Sequence, residues 1–368
     1  MARAAAPLWL AAPTRFAGLK RRPAQIVLFG LILLVAATFF ALVQPPEPPR
    51  EGATSGETDV ALYETIVEGV RAGGNYYAIA ARSLRAGDYP LKPFVTFRLP
   101  TLALIQAALP AWGVTALLYA LAAGVFAAWL LRLRSAFTRG PPLILAGFLL
   151  AAGMLAFVQS DIAAFHEIWA GLLIALSLAL RREDRWVEAV AFGLMAMLIR
   201  ETAALYVGIM AVLAFAEGQR REAIAWGATV AVLAVVVALH AHAVSEVVNA
   251  TDANSPGWAG MLGFGFFVAT MAKSTGLALL PLWAAAPLVG LAFAGWAGWN
   301  SPLGLRALAT YSAYALLIAL FGRADTFYWG LMVAPAILTG LAFAPDAVRD
   351  LVRAAFATRR ITVTRMVR

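Results

Sequence analysis

Residues 161–202 read DIAAFHEIWAGLLIALSLALRREDRWVEAVAFGLMAMLIRET. Two apolar runs, 164–180 and 186–199, flank the charged stretch Arg181-Arg182-Glu183-Asp184-Arg185. The first run carries His166 and Glu167 near its start, and the second stops on Arg200 and Glu201. Charge-poor runs of this kind read as helices surrounded by lipid or by other helices. Working outward, further apolar segments fall near 23–43, 114–131, 141–159, 202–216, 223–245, 275–296, 307–322 and 328–344. With the first two they make about ten spans of roughly bilayer-crossing length. The expected fold is all-α, a polytopic transmembrane helical bundle.

Composition points the same way. Hydrophobic residues make up 62% of the 368 and charged ones 13%, where a soluble domain carries about 25% charged. That excludes an ordinary soluble enzyme, a disordered chain and a nucleic-acid-binding module. The absence of cysteine removes disulfides, thiolate catalysis, iron–sulfur clusters and cysteine zinc sites. The net charge of +9 marks topology rather than nucleic acid, because no long basic stretch stands apart from apolar spans. Loops on the N-terminal side hold 20 of the 29 basic and seven of the 20 acidic residues, or +13, which leaves −4 opposite. The positive-inside rule then predicts a multi-pass inner-membrane protein with both termini cytoplasmic. Residues 1–22 form a cytoplasmic segment and 23–345 the transmembrane domain, with outer loops 44–99 and 246–274. Residues 346–368 form a basic tail expected to meet anionic lipid. The run Pro23–Val43 is too long for a signal peptide and is expected to stay.

The first outer loop has structure of its own. Val60, Tyr63, Val67 and Val70 fall at helical spacing before Gly73-Gly74, and a second helical piece runs from Tyr76 to about Ala86 before Gly87-Asp88. Thr101–Pro110 is apolar but short, a separate interfacial or re-entrant piece. A first span, an outer loop opening on Glu57-Thr58-Asp59, then Tyr63, a glycine break and two interfacial helices resembles the GT-C superfamily. Tyr89-Pro90, Arg98-Leu99-Pro100, the acids Asp161 and Glu167 and the second outer loop from Glu246 to Ser274 extend the resemblance over roughly residues 23–345. The loop lacks an adjacent Asp-Glu pair, and Lys92-Pro93 is followed by phenylalanine rather than a second proline.

The resemblance implies an integral membrane glycosyltransferase that uses a polyprenyl-phosphate sugar and inverts the anomeric centre. It places the base that deprotonates the acceptor hydroxyl at Asp59, with Glu57 as alternate. The residue pattern alone also allows Asp59 as the N-cap of a helix beginning at Val60. The implied partners are the polyprenyl-phosphate sugar donor, membrane lipid and a glycan, lipid or protein acceptor, without nucleic acid.

Helix rise gives an independent argument. Arg181 back to Glu167 and Trp186 forward to Arg200 are each about 21 Å, and Arg306 to Arg323 about 25 Å, against a hydrocarbon core of about 30 Å. Glu167, Arg200, Glu201 and Arg323 therefore lie below the outer headgroups, where ionisable groups usually line a cavity. Asp161, His166, Lys273 and Asp325 sit near the same ends. Arg98, Arg200, Lys273 and Arg323 are the candidates for the donor phosphate. Asp161, His166 and Glu167 are candidates for acceptor, sugar or metal, and an inter-helical ion pair with Arg200 is the alternative for the acids. No cofactor is required by the sequence, although the acids leave room for a divalent metal.

Other patterns carry less. His240 and His242 lie two apart and cannot share a helix face, Gly263-Phe-Gly265 reads as loop, and Trp112, Trp258, Trp296, Trp299 and Trp329 read as interface anchors. The rival functions are a lipid or small-anion transporter or flippase, and a non-catalytic membrane subunit.

Overall fold

A computed structural model describes residues 6–43 and 55–357, with side chains for 6–43 and 59–357. Among these residues the structure is all-helical, with two isolated β-bridges and no strand. The helices are α1 (Arg21–Thr38), α2 (Ser55–Arg71), α3 (Tyr76–Ala86), α4 (Thr101–Ala108), α5 (Ala111–Leu133), α6 (Gly140–Gly153), α7 (His166–Leu180) and α8 (Val187–Ile199). They continue as α9 (Ala204–Ala216), α10 (Arg220–Ser245), α11 (Gly263–Ser274), α12 (Leu282–Gly298), α13 (Pro302–Phe321), α14 (Ala334–Ile337) and α15 (Gly340–Ala355). Four segments are long and apolar enough to cross a membrane: Arg21–Val43, which is α1 with a 3-10 extension, and α5, α10 and α13. Their outer faces are apolar, as Ile26, Phe29 and Ile32 on α1 and Val235 and Leu239 on α10 are exposed. Contiguous apolar surface of this kind needs a nonpolar solvent, so the chain has the character of a membrane protein.

At the centre stands α7, buried at every position from His166 to Ala179. Its contact with the 3-10 segment Ala324–Met332 is backbone-close. A Cβ on Gly171 would fall 2.1 Å from the Leu331 carbonyl oxygen, whereas one on Gly208 of α9 would meet nothing within 4 Å. Gly171→Ala is therefore expected to cost about 1–3 kcal/mol through overpacking. Thermal unfolding in detergent checks this, with Gly208→Ala leaving the midpoint unchanged or raising it.

The helices α8 and α9 form a short hairpin. Each has 13 residues, or about 20 Å, so its turn at Arg200-Glu201-Thr202-Ala203 stops well short of a 30 Å core. Arg200 takes extended backbone angles there, and Glu201–Ala203 is a 3-10 turn.

Several expectations need revision. The run near 275–296 starts later, because the 3-10 turn Gly276–Leu279 and Pro281 precede α12. The stretch around Gly263-Phe-Gly265 is the start of α11 rather than loop. A Cβ on Gly265 would lie 2.6 Å from the Phe40 carbonyl carbon, so glycine lets α11 press onto that backbone. Residues 328–344 are not one span but the 3-10 segment Ala324–Met332, then α14 and the start of α15. Residues 346–355 belong to α15 instead of a tail. Asp346 accepts hydrogen bonds from the backbone N–H groups of Leu8, Trp9 and Leu10, and Asp350 from the Thr14 amide and hydroxyl. Trp296 is core, donating to the Ile337 carbonyl at 2.9 Å, and Trp299 stacks on Phe343. The Pro-rich stretch 45–49 and the residues 359–368 lie outside the described residues.

Candidate functional site

The bundle has two ionic ends. At one, the N-terminal segment meets α15, Arg181 donates to Glu222, and Arg306 pairs with Glu217. At the other, α2, α3 and α4 lie over the α8–α9 turn and the start of α7, and five separate segments converge.

The helix α2 supplies Asp59 and Tyr63. It begins at Ser55, so Asp59 lies within it and is not its N-cap. The following connection supplies Tyr89 and Arg98, the first turn of α7 supplies His166 and Glu167, and the α8–α9 turn supplies Arg200 and Glu201. Tyr328 and Trp329 come from the segment Ala324–Met332. Glu167, 1% exposed, accepts from Arg200 Nε at 2.6 Å and lies 3.9 Å from an Arg98 terminal nitrogen. Arg200 also pairs with Glu201 and stands 5.8 Å over the Trp329 ring. Arg98 Nε donates to the Tyr63 hydroxyl at 3.1 Å. Tyr76 on α3 donates to the Arg98 carbonyl at 2.7 Å, which anchors the segment that bears this arginine.

Asp59 accepts a hydrogen bond from the Tyr89 hydroxyl at 2.8 Å. Burial pushes its carboxyl above the usual aspartate range, with the Tyr89 hydrogen bond and the Arg98 charge opposing that rise. The rings close the site. Tyr63 meets His166 edge-on at 5.0 Å between centroids, and Phe165 stacks on Tyr328 at 5.1 Å. Both ring nitrogens of His166 and Glu167 Oε2 are buried without a partner among the described residues. A cluster with polar atoms to spare has capacity for another polar molecule.

Of the sequence candidates, Asp59, Arg98, His166, Glu167 and Arg200 come together here. Three others do not join them. Asp161 is exposed and accepts from its neighbour Ser160. Lys273 is exposed, with its Nζ 5.8 Å from the Phe327 ring and no ion pair among the described residues. Arg323 pairs with Asp325 at 2.6 Å and reaches the Gly257 carbonyl at 3.4 Å. The Glu57 side chain lies outside the described residues. The chain's other histidines lie outside the cluster, where His240 contacts the Tyr77 hydroxyl at 3.2 Å and the exposed His242 lies 3.7 Å from Glu246. Among the described residues no group of three or more His, Cys, Asp or Glu is gathered as for a metal ion.

Sequence reasoning missed Tyr328 as a site residue and read Trp329 as an interface anchor, although Trp329 is 8% exposed. The available signal was Thr326-Phe-Tyr-Trp329 directly after Arg323-Ala-Asp325, an aromatic run beside charges at a proposed span end. Chemically, the arrangement offers a half-buried carboxylate, Asp59, as proton acceptor near the Arg98 guanidinium, with aromatic rings packed around it. Comparison with known protein families, curated proteins and solved structures returns no match.

Proposed function

We propose that the chain is an integral membrane glycosyltransferase of the GT-C type, which moves a sugar from a polyprenyl-phosphate carrier to an acceptor hydroxyl at the outer face of the membrane. The observation that carries this reading is the convergence of Asp59, Arg98 and Glu167 from three segments at one end of the bundle. In the reaction Asp59 takes the acceptor proton, the acceptor oxygen attacks the anomeric carbon from the side opposite the phosphate, and the carbon–oxygen bond to the carrier breaks with inversion. The leaving group is the polyprenyl phosphate, whose charge cationic side chains counter. Arg98 is the cation suited to it within the cluster, because Arg200 is committed to Glu167 and Glu201. Lys273, outside the cluster and without an ion pair among the described residues, is a second candidate at the same end.

Two further features support a lipid donor. An apolar cavity of about 590 Å³ lies among α1, α11, α12 and α13, lined by residues such as Leu31, Leu34, Phe264, Phe293 and Leu316, suitable for an isoprenoid tail. Its Phe264 belongs to α11, the helix that also bears Lys273. The charge asymmetry between the loops supports cytoplasmic termini and an outward-facing site, with about ten membrane-embedded segments.

Purified protein supplied with radiolabelled polyprenyl-phosphate sugars and a mixture of envelope glycans is expected to transfer label or, without acceptor, to hydrolyse the donor slowly. No turnover with any carrier sugar, together with ligand flux in proteoliposomes, would overturn the reading in favour of a transporter. The same assay gives a pH test. With Asp59 as base, activity falls as pH drops through its raised pKa. Tyr89→Phe removes a hydrogen bond that holds that pKa down, so the acidic limb of kcat/KM is expected to move to higher pH. An unmoved limb would separate Asp59 from the rate.

A further inference from the structure

The opposite end of the bundle holds a second cluster with no part in the chemistry above. A cavity of about 200 Å³ there is lined by Arg132 at the end of α5, Arg181, Arg182 and Glu183 after α7, and the first turn of α13 with Arg306. Two of these arginines are structural. Arg181 is 6% exposed and donates through Nε and a terminal nitrogen to Glu222, at 3.0 and 2.6 Å. Arg306 is 1% exposed and forks onto Glu217. Arg306 Nε is nevertheless buried with no partner among the described residues, although the residue lines the cavity.

The other two arginines are uncommitted. Neither the half-buried Arg132 nor the exposed Arg182 has a side-chain hydrogen bond or ion pair among the described residues. Four arginines stand against Glu183, Glu217 and Glu222, so the cluster retains one positive charge. The N-terminus of α13 adds its partial positive charge, since Pro302 and Leu303 form part of the wall. Cationic guanidinium groups, an unsatisfied buried donor and a helix N-terminus all favour an anion, and the arginine fork suits phosphate oxygens. The cavity is smaller than the roughly 300–1,000 Å³ of sites that enclose a drug-sized ligand, which disfavours a nucleotide. The residual charge of one matches the single negative charge of a phosphodiester.

We propose that this cavity binds a phosphate group, with the headgroup of an anionic phospholipid as the ligand class that fits its size, charge and place at the helix ends. Arg132 and Arg182 make the variable contacts, and Arg306 Nε, held in place by Glu217, is the buried donor. This site stands apart from the glycosyltransferase reading and does not depend on it.

The experiment uses delipidated full-length protein in neutral detergent, with the thermal midpoint followed against added ligand, because a ligand that binds only the folded state stabilises it by RT ln(1 + L/Kd) at free concentration L. Phosphatidylglycerol is expected to raise the midpoint with the logarithm of its concentration above Kd, with phosphatidylcholine raising it far less. The double variant Arg132→Gln/Arg182→Gln should weaken the apparent affinity for phosphatidylglycerol at least tenfold. Arg134→Gln/Arg139→Gln, which removes the same charge outside the cavity, should leave that affinity unchanged. Inorganic phosphate and glycerol phosphate distinguish the source. Concentration-dependent stabilisation by either, lost in the first double variant, assigns the cavity to a water-soluble phosphate. A response confined to phosphatidylglycerol assigns it to lipid. Equal stabilisation by both lipids with no response to soluble phosphate would overturn the proposal, as would equal phosphatidylglycerol affinity in the two double variants.

Discussion

Asp59→Asn is expected to abolish sugar transfer while the protein remains folded. Loss of a positioned general base costs about 10²–10⁴-fold in rate, which would bring turnover near background. The substitution nearly preserves shape, and the amide oxygen can still accept the Tyr89 hydroxyl hydrogen bond. Stability should hold or rise, because burial already disfavours the charged form of Asp59 and the neutral amide relieves that cost. Rate and stability are thus predicted to separate. A variant with wild-type kcat would remove Asp59 from the chemistry, and one that loses its cooperative unfolding transition would make it structural.

The largest stability effect is expected at the other end. Arg181→Met leaves Glu222, 1% exposed, with only the Trp226 indole N–H at 3.2 Å. Breaking a buried ion pair by removing one partner costs about 3–5 kcal/mol, whereas replacing both by apolar residues is often neutral. Arg181→Met should therefore lower unfolding stability by that amount, and the double variant Arg181→Met/Glu222→Leu should recover most of it. A double-mutant cycle in denaturant measures the coupling directly. If the double variant is as unstable as the single one, the loss comes from packing and not from a stranded carboxylate.

The two ends differ in how far the chain announced them. The helix Tyr76–Ala86 was legible because Asn75 is a good cap and Gly87 a good stop, and both act within one turn. Gly73 adopts φ +90, so the break before it was likewise a local property. Counting residues inward from charged ends put Glu167 and Arg200 at a similar depth, since rise per residue fixes depth, and left their ion pair as one of two readings for the acid. Depth does not fix direction around the bundle. Asp161, Lys273 and Arg323 were placed at the right end but lie outside the cluster, because which way each faces is decided by packing among helices distant in sequence. Tyr328 escaped for a different reason. A hydropathy window averages over Val333, whose angles are not helical, and Pro335, so the broken segment looked like one continuous helix. The ion pairs Arg181–Glu222 and Arg306–Glu217 link residues 41 and 89 positions apart, and local pattern carries no trace of such pairings.

The attachment of residues 8–14 to Asp346 and Asp350 bears on how the chain is assembled. The helix α1 packs against α11, α12 and α15, which follow it in the chain by more than 200 residues. Membrane insertion and final packing are then separate stages for α1. It can enter the bilayer as an independent apolar span, but its native neighbours arrive only after more than 200 further residues have been made. The helix α15 closes the bundle by taking up the amide groups of Leu8, Trp9 and Leu10. A chain stopped before Asp346 would keep its candidate site residues yet leave residues 8–14 untethered, so this stitch of the fold is made only after every candidate site residue has been synthesised.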